Sequence, residues 1–302
     1  MSLFDILNEN TGLGGDMEIL EEYQNEEGLY KALYEDALDE ILIFKEYGLP
    51  IIMMEDSDDK SIGEKLIEVI KKIVESVIDF IKKVWNVITG IIKGFVNWVK
   101  KFFGGFKKAK DIVEEKAKKG ESVKVPSNVK KDLVKASKED KDFKNAINGV
   151  NALITSYISG KDDKSLSDMG NVMNNVQAYE EFINKQEKNI DHKKTKEEAT
   201  VDDILVADVM MSEKGSKNIH DAIISHANIV KKSGEVTKKR ISNLESQLAS
   251  IDKEKVEEIK EIKSKIMKER EAHRKINEVA RILIGHGKNT VMRATAAANK
   301  IK

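Results

Sequence analysis

The sequence predicts an all-α protein, an elongated helical bundle built around one long amphipathic helix and a C-terminal helix of coiled-coil type. Three observations carry that prediction. Among 302 residues only two are proline, Pro50 and Pro126. Charged residues make up 35% and hydrophobic residues 40%, a balance suited to long two-faced helices. Apolar positions recur at steps of three and four over most of the chain.

Four segments follow. Residues 1–59 read as an acidic N-terminal arm, a candidate propeptide, with seventeen acidic groups against two lysines and a balance of −15. Within it Leu29, Leu33, Ala37, Ile41 and Phe44 predict a helix over 26–47, stopped by Gly48 and Pro50. The acidic run from Glu55 to Asp59 reads as a hinge.

Residues 60–119 form a cationic amphipathic segment with the clearest pattern in the chain. Ile62, Leu66, Ile70, Ile73, Val77, Ile81, Val84, Ile88, Ile91, Phe95, Trp98 and Phe102 succeed one another at helical steps. Ile92, Trp85 and Phe103 widen the stripe. Lys82, Lys83, Lys93, Lys100 and Lys101 take the basic face, and residues 60–110 carry twelve lysines against four acids, a balance of +8. A straight helix over 60–103 would be about 65 Å long. Gly90 and Gly94 favour a bend, and Gly104-Gly105 a break. The nearly uncharged window 84–99 falls short of the roughly 20 apolar residues of a spanning helix, so no transmembrane segment is expected.

Residues 120–235 read as a polar helical bundle. Pro126-Ser127 starts one helix, a second ends at Gly160, and Met169, Val172, Val176, Tyr179, Phe182 and Ile183 mark the inner face of a third. A solvated linker, "DHKKTKEEAT", precedes helices near 201–211 and 216–232. Residues 236–302 read as one long helix and a tail: Ile241, Leu244, Leu248 and Ile251 begin a stripe that Val256, Ile259, Ile262, Ile266, Ile276, Val279 and Leu283 continue, with a gap between Ile266 and Ile276. A stripe on so charged a helix needs a coiled-coil or hairpin partner. Gly285 to Gly287 is expected to break it.

Enzyme motifs are missing. The absence of cysteine excludes thiolate chemistry and disulfides. His192, His220, His226, His273 and His286 show no i, i+4 pair suited to a metal and are expected at the surface or partly packed. "ILIGHGKNT" has Ile282 where a phosphate loop needs glycine, and Asn289 where it needs serine or threonine. No cofactor and no catalysis are expected. Met1-Ser2-Leu3-Phe4-Asp5 lacks the basic start and apolar run of a secretory signal, so classical export is not expected.

Two binding readings remain. Lysines between 107 and 144, with Lys238, Lys239 and Arg240, would give nonspecific, salt-sensitive DNA contacts, though interleaved acids favour a solvated face. A long cationic helix with Trp85, Ile88, Ile91, Ile92, Phe95, Trp98, Phe102 and Phe103 on one side matches what lies in a lipid interface. It equally matches the central helix of a bundle.

In its lysine- and isoleucine-rich, cysteine-free, helical layout the chain resembles internal virion proteins of large tailed bacteriophages. The resemblance implies a non-enzymatic protein packed in the phage head, made in the host cytoplasm, assembling with other virion proteins and with itself, and in some cases trimmed by a protease or leaving with the DNA. Some such proteases cut after Glu with Leu or Ile two residues earlier, a pattern offered by Leu7-Asn8-Glu9, Ile19-Leu20-Glu21, Leu20-Glu21-Glu22 and Leu38-Asp39-Glu40; at Met53-Met54-Glu55 methionine departs from it. The expected function is a virion-internal structural protein whose acidic arm masks a membrane-active helix. A helical pore-forming toxin and a head scaffold without a lipid role are the alternatives.

Overall fold

The structure, a computed structural model, describes residues 62–160 and 200–302. The acidic arm with its expected helix and cleavage positions, the expected helix beyond Gly160, and the linker that follows it lie outside the described residues. The described chain is all-α apart from one small ladder: α1 Ile62–Phe102, α2 Gly104–Lys118, β1 Val123–Pro126, α3 Ser127–Ile158, β2 Val201–Ile204, α4 Val206–Ser250 and α5 Val256–Asn299.

The long stripe of α1 makes 41 continuous helical residues, about 60 Å at 1.5 Å per residue. The break at Gly104-Gly105 is only a one-residue interruption. Phe103 keeps right-handed helical dihedrals, and its N–H still donates to Val99 O at 2.9 Å. Glycine has a different task at 105, where the Asn299 side chain of α5 occupies the space a Cβ would need. Helix α2 ends with Lys116 and Lys118 against the negative end of its dipole, and Gly120, at φ 73°, turns the chain out.

The four-residue strands were not expected. β1 and β2 pair antiparallel with Val123 opposite Ile204 and Pro126 opposite Val201. Their span is too short for a period-two signal to stand out. Pro126 closes the ladder and opens α3, which Gly160, at φ 70°, helps to stop. Ser127 N–H donates to Thr200 O at 2.9 Å beside the ladder.

Two corrections concern the C-terminal half. The helices expected near 201–211 and 216–232, and the start of the one expected after Glu235, are a single 45-residue helix beginning at Val206; the boundary at 235/236 falls inside it. The expected C-terminal helix is instead reversed at residues 251–255, so α4 and α5 form a hairpin. Asp252 makes the turn: its Oδ1 accepts from Glu254 N–H at 3.2 Å, and its carbonyl accepts from Lys255 N–H at 3.0 Å. Gly285 to Gly287 does not break α5, which runs on to Asn299.

The core has two parts. The larger joins Phe80 to Trp98 of α1 with α2, the ladder, α3 and most of α4 and α5. The smaller gathers Leu66 to Ile81 of α1 onto Ile241, Leu248, Ile259, Ile262 and Ile266 near the hairpin turn. Helix α1 therefore lies along both cores, whereas α3 reaches only one.

Candidate functional site

The apolar face of α1 is covered by the α4–α5 hairpin, with α2 at its C-terminal end. Phe95 is 0% exposed and Trp98 6%. Ile88 and Ile91 are buried, and Trp85, Ile92 and Phe103 are half-buried. Of the basic face, Lys82, Lys83, Lys93 and Lys100 are exposed, with Lys82 3.0 Å from Asp79. The side chains of Phe102 and Lys101 lie outside the described residues. One helix thus presents a buried aromatic stripe and a solvated lysine face. No helix among the described residues is long and apolar enough to cross a membrane.

Large side chains dominate the contact of α1 with the hairpin. Phe95 stacks on Trp98 at 6.4 Å and meets the His220 ring of α4 at 5.2 Å. Phe80 meets the His273 ring of α5 edge-on at 5.6 Å. Lys231 Nζ lies 4.1 Å over the Trp85 ring, a cation–π contact. At the turn end Lys253 pairs with Glu64 at 2.5 Å, where Gly63 allows the Lys253 carbonyl to approach.

The α3–α4–α5 contacts also bury large side chains, among them Phe143, Leu133, Ile147, Ile154, Ile219 and Ile223, and add close approaches at small residues and polar interlocks. A Cβ on Gly215 would meet the Ala136 carbonyl oxygen at 2.6 Å, and one on Gly287 would run into the Phe143 ring. Ser212 Oγ donates to Leu133 O. Asn218 Nδ2 donates to Asp140 at 2.8 Å. Thr290 Oγ1 donates to Glu139 at 3.0 Å, and His286 Nε2 lies 3.2 Å from the same carboxylate. Burial opposes ionisation of Glu139, yet these bonds and the charge of Lys135 outweigh it and hold the carboxyl below its usual range. Tyr157 OH is 2.8 Å from Thr237 Oγ1 and donates to Glu269, while Arg240 Nη2 donates to Tyr157 O at 2.8 Å. Burial and the Glu269 carboxylate push the Tyr157 phenol well up.

Two histidines expected at or near the surface are buried. His226, on α4, is 0% exposed; its Nδ1 lies 2.6 Å from Asn151 Oδ1, and its Nε2 has no hydrogen-bond partner. His273, on α5, is 2% exposed, and neither ring nitrogen has one. Burial pushes both imidazoles down to about 4. His273 and Arg270 fill the gap between Ile266 and Ile276, so that gap was the legible signal of a polar insertion. His273 borders a small cleft between α1, α4 and α5 that Trp85, Lys231, Gly234 and Asn277 also line.

Among the described residues no group of three or more acids and histidines is placed to hold a metal. Helix α5 passes straight through "ILIGHGKNT", with Lys288 and Thr290 buried. No known protein family, curated protein or solved structure matches the chain.

Proposed function

We propose that this is a non-enzymatic structural protein of a phage virion interior, in which the bundle holds α1 as a masked membrane-active helix. The observation that carries the reading is the two-sidedness of α1. Its aromatic stripe is covered by a single, largely apolar interface, while its lysines face water. Released, such a helix has the composition that partitions into an anionic lipid surface.

The mask is the α4–α5 hairpin with α2, in place of the acidic arm alone. The role proposed for residues 1–59 is to neutralise the lysine face, by charge complementarity of −15 against +8. The virion setting, partners in the phage head, self-association and nonspecific DNA contact extend the compositional resemblance and belong to the same proposal. Co-sedimentation with capsids separates it from the pore-forming toxin.

A locked bundle tests the masking. The chain has no cysteine, and a Cβ on Gly234 would lie 3.5 Å from Ile81 Cγ2, so the two positions adjoin across the contact of α1 with α4. In the Ile81→Cys/Gly234→Cys double variant, brought to pH 4.5 to loosen the bundle, the reduced form is expected to leak dye from anionic vesicles and the oxidised form to hold it. No leakage in either state would make α1 a permanent member of the bundle and leave the scaffold reading in its place.

A further inference from the structure

The contact between α1 and the hairpin contains a feature that apolar masking does not require: imidazole rings set against the aromatic stripe at two points about 22 Å apart along α1. His220 meets Phe95, and His273 meets Phe80. His220 keeps some contact with solvent, and its Nδ1 lies 3.0 Å from Asp221. His273 is sealed, and neither of its ring nitrogens has a hydrogen-bond partner. A neutral imidazole tolerates such a site poorly, and an imidazolium, with two N–H donors, far worse.

We propose that His273 makes the seating of α1 pH-sensitive, so that acidification drives α1 off the hairpin while α3, α4 and α5 remain packed. The proposal rests on the masked-helix reading for its purpose, and on the geometry around His273 for its mechanism.

Among the described residues, the cleft beside His273 holds no group that answers its charge. Helix α1 presents only Phe80 and the apolar cleft residues Ile81, Val84, Trp85 and Ile88. Helix α4 presents Gly234, whose missing Cβ makes room for the ring, and the cation Lys231. Helix α5 itself supplies buried Arg270 one turn earlier and Asn277 one turn later; Asn277 Nδ2 donates to His273 O at 2.7 Å, and its Oδ1 has no partner. Glu269 is engaged with Tyr157 and Arg240. Among the described residues no carboxylate lines the cleft.

Relief then comes by the route that admits water at least disruption. Lifting α1 opens the cleft directly, whereas parting α4 from α5 would undo the close approach of Ile223 to Gly287 and the bridge of Tyr157 between Thr237 and Glu269. His226 shares the sign of the effect, but it sits against Asn151 of α3, so its protonation loads a different interface. Linkage gives the window. A histidine held near 4 in the bundle and at its ordinary value once exposed leaves α1 fully seated above about pH 6.5. The release equilibrium then rises by up to tenfold per pH unit as pH falls towards 4.

The chain carries its own reporter, because its two tryptophans, Trp85 and Trp98, both lie on α1. In the full chain, without lipid, tryptophan emission is expected to shift red between pH 6.5 and 4 while far-UV helicity is retained. In His273→Leu the midpoint should move at least one pH unit lower; His226→Leu should leave it in place. An unchanged midpoint in His273→Leu would overturn the proposal. Should that variant fold poorly at pH 7, hydrogen exchange of the wild-type chain at pH 4.5 decides: rapid exchange confined to α1 upholds it, and uniform exchange over α1 to α5 overturns it. Leakage of anionic vesicles is a separate readout. A tryptophan shift without leakage would keep the switch and remove the membrane reading.

Discussion

Two interfaces in one bundle both bury large side chains but differ in what fixes their register. Where α3, α4 and α5 meet, Phe143, Ile147 and Ile219 are buried beside small residues such as Ser216, Ala227, Ala280 and Ala294, the backbone approaches closely at Gly215, and hydrogen bonds such as Thr290 to Glu139 fix the register. Where α1 meets the hairpin, bulky residues such as Phe80, Ile88, Phe95 and Trp98 fill the space, and fewer directional contacts fix the position. Close-packed small residues tolerate little displacement, because each contact has one geometry. Large apolar surfaces contribute more energy per residue and hold the helix less specifically. The difference teaches where such a chain separates: between layers joined chiefly by apolar contact, before those that hydrogen bonds also hold.

The sharpest test removes size from the α1 side. Phe95→Ala is expected to cost about 3–5 kcal/mol in urea unfolding, as for a buried phenylalanine elsewhere. Hydrogen exchange should locate the loss in α1; an equal loss in α3 would mean that the two interfaces are one. On the other side, Gly215→Val drives a side chain against the Ala136 backbone and should cost about 1–3 kcal/mol, spread over α3, α4 and α5 and leaving tryptophan emission near its native value. Tyr157→Phe removes the hydroxyl between Thr237 and Glu269 and should cost about 1 kcal/mol, again without exposing α1. The smallest effect belongs to Lys253→Ala at the half-exposed pair with Glu64, under about 1 kcal/mol and weaker still in high salt. A larger effect there would make the hairpin turn an anchor of α1.

The sequence shows the interface of α1 far better than that among α3, α4 and α5. A stripe of Ile, Val, Phe and Trp at steps of three and four can be read directly, and α1 with its buried face follows from it. Close approach leaves no such trace. Gly287 looks like a helix breaker because glycine is intrinsically poor in helices, yet it sits in mid-helix because the Phe143 ring needs the space. The reversal at 251–255 has neither glycine nor proline and depends on Asp252, one acid among many. The partner of β1 is remote in sequence, so neither strand is legible alone. The burial of His273 was foreshadowed only by the interruption of the α5 stripe, and which helix would cover it depends on tertiary packing.

The small ladder has a consequence for how the molecule comes together. Pairing Val123 with Ile204 closes a loop of roughly 80 residues, and the entropy of such a closure grows only with the logarithm of its length, to about 4 kcal/mol plus a constant. Eight strand residues do not recover that by themselves. The ladder is therefore a late clasp: α3 and α4 must already lie side by side before β1 and β2 are brought within reach. Once they do, the closure is already made, and the ladder adds its hydrogen bonds at little further entropic cost.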